Sequence, residues 1–301
     1  MIWLRRTFLA LAAGISFAIA TPVTAQTVET PPEEEVAWDS DWDRVRGWEY
    51  AASGTLMAAG LASRFILPDP DSGYVNGVLF DEALYNALRP ETDSGWRASA
   101  LTSDIGFVGS MVYRFVDVMV IGIAHDAWDV AWQVGAMDFE SFSIIASSLW
   151  VPQTLGVATR ERPSYQTCGK PDHVGQDCSR EGNRYRSFYN GHTAVAMAAT
   201  GQTCVHHWFM PIYGGGFADA FACGAMIGVT AITGATRLAS GKHWASDTVV
   251  GLGIGAASGF LVPLTLHYGF QRNPTERTTA QVRLLPVMYG VHPGLVLHGG
   301  F

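Results

Sequence analysis

The chain has 301 residues, which is enough for one large helical domain or two small ones. Hydrophobic residues make up 48% of it and charged residues 15%, so we expect a sizeable core or contact with a membrane. The formal net charge is −8 and no block of basic residues occurs, which excludes the proteins that bind nucleic acid through a basic surface.

The first 25 residues have the pattern of a secretory signal peptide. Arg5 and Arg6 form the charged start, residues 7–20 the apolar run, and residues 23–25 a cleavage site of small residues. This pattern predicts a signal peptide over residues 1–25, a mature chain that begins near Gln26, and export to the periplasm. An uncleaved membrane anchor is the alternative interpretation.

The mature chain divides by composition into three segments. Residues 26–43 are acidic and predict a linker, in which Trp38 and Trp42 can dock on the folded part. Residues 44–280 predict an all-α domain, a helical bundle of about six core helices, and residues 281–301 predict a small C-terminal β-hairpin packed on it. The expected helices span residues 44–66, 105–124, 139–159, 191–208, 217–238 and 244–269, with an irregular stretch at 68–100.

Three glycines of the last predicted helix follow one another at four-residue spacing. They are Gly251, Gly255 and Gly259, and no strand precedes them as a phosphate-binding glycine loop would require. The spacing therefore predicts a face for close packing against another helix.

Four cysteines in an exported chain predict disulfides, for which three connectivities are possible. Cys168 and Cys178 bracket a short polar loop and most simply pair with each other, and Cys204 and Cys223 would then join the end of one helix to the start of the next. No tight Cys-x2-Cys spacing occurs, so these cysteines do not predict a metal site. The neighbouring residues 206 and 207, both histidine, predict a helix end rather than a metal site, because adjacent residues do not share a helical face.

Two or three predicted helices, most clearly residues 248–271, are apolar enough to span a bilayer. If the signal peptide exports the mature start, six spans would leave the loop with Cys168 and Cys178 in the cytoplasm, where a disulfide does not persist. The loops at the opposite end contain no lysine or arginine, although a cytoplasmic side is normally the basic one. Arg114 and Asp117 would also lie in mid-span, which is costly unless they are paired. These points favour a periplasmic globular or peripherally bound protein.

The stretch most suggestive of chemistry is residues 236–247, in which Arg237, His243 and Asp247 are spaced Arg-x5-His-x3-Asp. If a helix begins near His243, then His243 and Asp247 lie one turn apart on one face. The carboxylate can then hold one ring nitrogen and leave the other free with its lone pair, as covalent catalysis requires. Arg237 would present a planar fork to an oxyanion such as phosphate.

Two upstream stretches, residues 159–163 and 187–194, complete a pattern. The three together resemble the signature motifs of the type 2 phosphatidic acid phosphatase and vanadium haloperoxidase superfamily, which read Lys-x6-Arg-Pro, Pro-Ser-Gly-His and Ser-Arg-x5-His-x3-Asp. The order and the gaps fit over roughly residues 140–265. Departures from the pattern occur in each motif, at Leu155 in place of Lys, at Tyr189 and Asn190 in place of Pro and Ser, and at Thr236 in place of Ser.

The resemblance implies a role for each matched residue. His243 would attack phosphorus to form a phosphohistidine, with Asp247 fixing its tautomer, and His192 would protonate the leaving alcohol and then activate water. Arg162 and Arg237 would clamp the phosphoryl oxygens, and the Gly191 backbone N–H would add a donor at a helix start. No metal or other cofactor is implied, since arginine supplies the charge neutralisation.

The departures remove expected donors from the phosphate cradle. Leu155 cannot donate to an oxygen, and either Arg160 or Lys242 could take over from the missing lysine. Asn190 retains an amide donor where the superfamily has a hydroxyl, so it remains a candidate for contact with phosphate.

The implied activity is metal-independent hydrolysis of phosphomonoesters or lipid (di)phosphates, with a lipid phosphate favoured by the apolar composition. A vanadate-dependent haloperoxidase is disfavoured, because a cradle without the lysine holds free vanadate less well. A catalytically impaired protein that uses the phosphate pocket for binding, or for a structural role in the envelope, is the third interpretation.

Overall fold

The computed structural model describes residues 35–170, 173, 175, 178 and 181–269, together with the backbone of residues 282–289 and 292–299. The predicted signal peptide, at residues 1–25, and the start of the predicted linker lie outside the described residues. The described part contains α1 (Gly47–Phe65), α2 (Asp81–Leu88), α3 (Asp93–Ala124), α4 (Trp128–Thr154), α5 (Gly191–Phe209), α6 (Gly216–Ala239) and α7 (Ala245–Ala256).

The predicted all-α class is confirmed, and every one of these helices except the eight-residue α2 is long. Two helices begin earlier than predicted. α3 begins at Asp93, where the Thr92 side chain caps it by accepting from the Gly95 N–H at 3.2 Å. α4 begins at Trp128 and ends at Thr154. α2 and the first turns of α3 occupy the stretch predicted to be irregular.

α7 continues as two π-helical segments, Ala257–Leu261 and Leu264–Tyr268. Beyond it, the backbone runs as two antiparallel strands, β1 (Val282–Tyr289) and β2 (His292–Gly299). The side chains of this segment lie outside the described residues, so the expectation of a C-terminal hairpin packed on the helical domain stays a prediction.

α5 lies at the centre of the bundle and contacts α3, α4, α6 and α7. Short connections join α3 to α4, α5 to α6 and α6 to α7, so consecutive helices run in opposite directions. As a result, the C-terminal ends of α4 and α6 meet the N-terminal ends of α5 and α7 at one end of the bundle. We call this the motif end, because all three sequence motifs lie there, and the other the far end.

The predicted glycine face of α7 is confirmed by how closely α5 approaches it. A Cβ atom at Gly251, Gly255 or Gly259 would lie 2.5, 2.3 and 2.3 Å, respectively, from backbone carbonyl oxygens of α5 or its N-cap. Real Cβ atoms do not approach an oxygen this closely, so the backbones of α5 and α7 pack together only because these residues are glycine.

The tryptophans of the predicted linker dock on the far end. The Trp42 ring lies 4.9 Å from the ring of Tyr268 and 5.7 Å from that of Phe209, both edge to face, and Trp38 packs against Trp42 at 5.4 Å. This aromatic cluster joins the chain before α1 to the ends of α5 and α7, and it extends the core of the far end.

The two charges predicted in mid-helix, Arg114 and Asp117, are both buried and are paired with each other. Arg114 also donates from Nε to the Asp138 carboxylate at 3.2 Å, and Asp117 accepts from His207 at 3.2 Å and from the Tyr213 hydroxyl at 2.5 Å. The cost of burying these charges is therefore offset by mutual pairing inside the bundle.

Both predicted disulfides are present, Cys168–Cys178 in the loop between α4 and α5 and Cys204–Cys223 between α5 and α6. The first lies at the motif end. The second lies towards the far end, since Cys204 stands in the last turns of α5 and Cys223 in the first turns of α6. Three helical stretches of the described chain, Asp93–Ala124, Gly216–Ala239 and Ala245–Tyr268, have the length and composition to cross a membrane.

Candidate active site

The three sequence motifs converge on His243 at the motif end. Burial, and after it the positive charges of Arg162 and Arg237, hold the pKa of the His243 imidazole well below its usual value, and His192 acts in the same direction. Four residues from three separate stretches of the chain therefore lie within electrostatic reach of one another. A neutral His243 is the form that a nucleophile requires.

The tautomer of His243 is set by a backbone carbonyl. Its Nδ1 lies 2.5 Å from the Ser187 oxygen, which can only accept, so Nδ1 carries the proton and Nε2 carries the lone pair. His243 lies before α7, whose N-cap is Trp244, and not on the helix itself. The expectation that His243 and Asp247 stand one turn apart on one helical face is therefore wrong.

Asp247 is buried and forms hydrogen bonds with residues around His243 rather than with the imidazole itself. Its carboxylate accepts from the Ser187 hydroxyl at 2.6 Å, from the Trp244 backbone N–H at 3.0 Å and from Arg160 Nη1 at 2.7 Å. The contact with the Trp244 N–H caps the first turn of α7. Asp247 thus reaches His243 through Ser187, whose hydroxyl bonds the carboxylate and whose carbonyl bonds the ring.

Arg160, one candidate to replace the missing lysine, is bonded to two carboxylates. Its Nη1 donates to Asp247 and Ser246 and its Nη2 to Asp81, each at 2.7 or 2.8 Å, while Nε and Nη2 also bond the Asn76 carbonyl. The guanidinium is buried and paired with two carboxylates, one of them Asp81 on α2. The expected contribution of Arg160 to the phosphate cradle stays a prediction, and these two ion pairs weigh against it.

His192, in the first turn of α5, is bonded on both ring nitrogens. Arg237 Nη2 lies against both ring nitrogens, 2.7 Å from Nδ1, and Nε2 also lies 3.1 Å from the Asp104 carboxylate. Burial, followed by the charge of Arg237, lowers the pKa of His192 to about 4. His192 is therefore neutral at pH 7.

Asp104 is a site residue that the motifs did not reveal. It lies on α3, accepts from His192, and pairs with Arg237 Nη1 at 3.0 Å. Those two neighbours, with Lys242, hold the pKa of its carboxyl below the usual value, the hydrogen bond from His192 being the largest cause. Asp104 holds Arg237 and His192 together in the substrate-free protein. Nothing in the local pattern of residues 93–104 distinguishes it from a solvated acidic residue.

Asn190 serves the fold rather than the cradle. Its side-chain oxygen caps α5 by accepting from the Thr193 N–H at 3.2 Å, and its amide nitrogen donates to the Thr248 hydroxyl at 3.0 Å. Both ends of the buried amide are thus occupied within the fold, and the expected contact of Asn190 with phosphate stays a prediction. Gly191, the first residue of α5, lies where helix N–H groups lack an intrahelical acceptor, as predicted for an anion site.

Lys242 remains a candidate cation, and Leu155 is not directed into the bundle. The Lys242 side chain is buried, with Nζ 5.3 Å from the centre of the Trp96 ring and its charge acting on Asp104. Leu155 is the C-cap of α4 and is 70% exposed. The position of the missing lysine therefore lies at the surface of the loop that leads to Arg162.

A family model described as the PAP2 superfamily matches residues 141–271. The matched segment begins within α4 and ends just after the second π-helical segment, so it contains the three motifs and every catalytic residue predicted from the sequence. No curated protein and no solved structure gives a significant match.

Proposed function

Residues 141–271 match the PAP2 superfamily, and we propose that the protein is a metal-independent phosphatase. It would act on phosphomonoesters or lipid phosphates through a phosphohistidine. The observation that carries this proposal is the state of His243. Its Nδ1 is held by a backbone carbonyl, its Nε2 retains a lone pair, and two arginines and a second histidine act on it. This is the arrangement that in-line attack on phosphorus needs.

In the first step, Nε2 of His243 attacks phosphorus, a P–N bond forms, and the P–O bond to the leaving group breaks. The leaving oxygen takes a proton from His192. Arg162 and Arg237 neutralise the equatorial oxygens, and the N–H groups at the start of α5, including that of Gly191, add donors. The positive charge that develops on His243 is shared through Ser187 with Asp247.

In the second step, His192 removes a proton from water, which attacks phosphorus as the P–N bond breaks. Inorganic phosphate leaves and His243 regains its lone pair. The sum of the two steps is one ester and one water consumed, one alcohol and one phosphate formed. General acid–base assistance of this kind contributes on the order of 10²–10⁴-fold in rate.

The contacts of Arg237 explain how a neutral His192 becomes an acid. In the free protein Arg237 donates to His192 and pairs with Asp104. A bound phosphate would take the guanidinium from His192 and add negative charge beside the ring. Both changes raise the pKa of His192 from about 4, so that it can hold the proton it must deliver.

An apolar stripe supports a lipid phosphate as the substrate. Leu101, Ile105, Val108, Val112 and Phe115 lie at helical spacing on α3, and each is more than half exposed. The stripe begins beside Asp104, at the site, and runs towards the far end. Acyl or prenyl chains can lie along it while the phosphate is held at His243, which also implies peripheral contact with a membrane.

The positions of the two disulfides support an exported protein. Cys168–Cys178 lies at the motif end and Cys204–Cys223 towards the far end. Disulfides persist in oxidising compartments. Both ends of the bundle therefore belong in such a compartment, and for a chain with a signal peptide we propose the periplasm.

A catalytically impaired phosphate-binding protein is the second candidate, and three observations favour it. Leu155 is exposed, Arg160 is saturated by carboxylates, and the Asn190 amide is used within the fold. The cradle therefore rests on Arg162, Arg237 and backbone N–H groups, with Lys242 nearby.

The test is hydrolysis of an aryl phosphate and of a short-chain phosphatidate by the purified mature chain in EDTA, far below its unfolding temperature. We expect turnover that His243→Ala lowers on the order of 10³-fold or more. His125→Ala, outside the site, is the matched control and should retain full activity. His192→Ala should still be phosphorylated by the aryl ester and accumulate an acid-labile phosphoprotein. A folded wild type with no turnover on either ester, but with retained phosphate binding, would establish the binding-protein alternative instead.

A further inference from the structure

A second group of chemically active side chains lies at the far end, away from His243. Glu49 stands in the first turn of α1, Glu140 in the middle of α4, and His267 in the second π-helical segment after α7. One ligand atom from each lies within 4.8 Å of the others. All three are buried, at 2%, 4% and 2% exposure.

The orientation of His267 leaves a ring nitrogen directed at a carboxylate. Its Nδ1 lies 3.1 Å from the Asp43 backbone oxygen, which can only accept, so Nδ1 carries a proton. Its Nε2 lies 2.9 Å from Glu140 Oε2. Histidines that ligate metals characteristically donate the other ring N–H to a backbone carbonyl or a carboxylate, which fixes the ring in this way.

In the described part of the chain, Glu140 lacks the direct arginine partner that Glu49 has, although the charge of Arg46 reaches it. Arg46 pairs with Glu49, because its Nη2 and its backbone N–H each donate to a Glu49 carboxylate oxygen at 2.5 Å. Among the described residues, Glu140 is bonded by His267 and by no arginine or lysine. A buried carboxylate of this kind is paired or coordinates a metal. A metal ion between the two side chains would supply that positive charge.

We propose that Glu49, Glu140 and His267 bind a divalent first-row cation, with Zn²⁺ the best fit to one imidazole and two carboxylates. Ligands at the usual zinc distances of about 2.0–2.2 Å lie roughly 3.3 Å apart in tetrahedral geometry, so small side-chain shifts close the site. The ion would join α1, α4 and the end of α7, and through Asp43 it would hold the docked segment before α1. Its role is structural, since the cluster shares no residue with the phosphate site.

The π-helical geometry supports a built site rather than an accidental cluster. Single π turns within helices occur frequently at functional positions. Here the segment Leu264–Tyr268 directs His267 towards Glu140 and Tyr268 towards His206, whose Nδ1 lies 2.7 Å from the Tyr268 hydroxyl.

The proposal is tested on the full mature chain, purified without chelator, by metal analysis and thermal unfolding. We expect about one zinc per chain, a lower unfolding midpoint after dialysis against a strong chelator, and recovery of the midpoint with ZnSO₄ alone. Zinc absorption spectroscopy should show nitrogen and oxygen neighbours and no sulfur. Aryl phosphatase activity should be unchanged by chelation at low temperature, which separates this site from the proposed function.

Glu140→Gln and His267→Gln should each abolish the zinc-dependent shift in midpoint. His173→Ala is the matched control, because His173 lies beside Cys168 and Cys178, whose disulfide removes the thiolates that a second zinc site would need. It should leave the shift intact. Wild-type protein without zinc and without a shift, or a shift that survives in Glu140→Gln, would overturn the proposal and leave a hydrogen-bonded histidine–carboxylate pair at the far end.

Discussion

Replacement of Asp247 by asparagine separates two accounts of how the nucleophile is oriented. In the structure, Asp247 contacts Ser187, Trp244 and Arg160, whereas the Ser187 carbonyl holds the His243 ring. Asp247→Asn is therefore expected to lower stability far more than catalysis. If the carboxylate oriented the imidazole directly, the same change would cost on the order of 10⁴-fold in rate, as in a serine-protease triad.

The expected loss of stability follows from the buried ion pair. Removing one partner of a buried pair costs about 3–5 kcal/mol. Arg160 keeps its second carboxylate, Asp81, at 2.7 Å, and asparagine still offers an oxygen to Trp244 or Ser187. We therefore expect the free energy of unfolding to fall by about 3 kcal/mol, the lower end of that range.

Asp81→Asn is the matched control, because it neutralises the other carboxylate on the same guanidinium. Asp81 is bonded by Arg160 and by Ser246, through both its hydroxyl and its backbone N–H, each at 2.7 Å. The two variants should lose similar stability in urea unfolding. Both should keep kcat/KM for an aryl phosphate within about tenfold of wild type when assayed well below their unfolding midpoints.

Loss of 10³-fold or more in Asp247→Asn alone, with the fold intact, would refute the relay through Ser187. In that case the carboxylate would have to move onto His243 when substrate binds. A crystal structure with a phosphate analogue would then show Asp247 released from Ser187.

Three further changes have expected outcomes. Gly255→Ala should destabilise the protein by about 1–3 kcal/mol in urea unfolding, because the new Cβ would lie 2.3 Å from the Ala194 carbonyl oxygen. Gly253→Ala is the control and should be neutral or stabilising, because a Cβ there meets nothing within 4 Å. Burial lowers the pKa of His206 to about 4 in the folded protein, below the value near 6.5 in the unfolded chain. The folded state therefore favours the neutral imidazole. This contribution to the free energy of unfolding is complete above pH 6.5 and is lost as the pH falls towards 4. When the pH is lowered from 7 to 5, the free energy of unfolding should therefore fall by about 2 kcal/mol less in His206→Gln than in wild type. An equal fall in both proteins would contradict that pKa. Leu155→Lys should change kcat/KM by less than about threefold, since residue 155 lies at the surface. A tenfold gain would instead show that the loop brings the new lysine to the phosphate group of the substrate.

Features that depend on local patterns were predictable from the sequence. The spacing of Gly251, Gly255 and Gly259 predicted the packing of α7 on α5, because helical geometry alone puts residues four apart on one face. The disulfide partners followed from the short segment between Cys168 and Cys178 and from the helix ends at Cys204 and Cys223. The motif residues His192, Arg237 and His243 were found because their spacing is characteristic and their chemistry is unusual.

Features that depend on contacts between distant segments were not predictable. Asp104 meets His192 across 88 residues of sequence, and Arg160 meets Asp81 across 79. Neither acidic residue stands in a pattern that distinguishes it from a solvated surface charge. The cluster of Glu49, Glu140 and His267 is not predictable for the same reason, since each residue comes from a different helix. Only the packing of the helices puts these groups together.

The contacts between distant segments explain what the substituted motif residues do in the fold. A serine at position 190 could donate its hydroxyl to phosphate, but Asn190 instead caps α5 and bonds Thr248 across to α7. Arg160, close in sequence to the missing lysine, is bound to Asp247 and Asp81 and fixes the first turn of α7. Both residues thus position the backbone that carries His192 and His243. In the proposed mechanism, Arg162, Arg237 and the start of α5 bind the phosphate charge, and Asp104 competes for Arg237 until substrate arrives. On that mechanism, the empty and the occupied site differ chiefly in the partner of the Arg237 guanidinium.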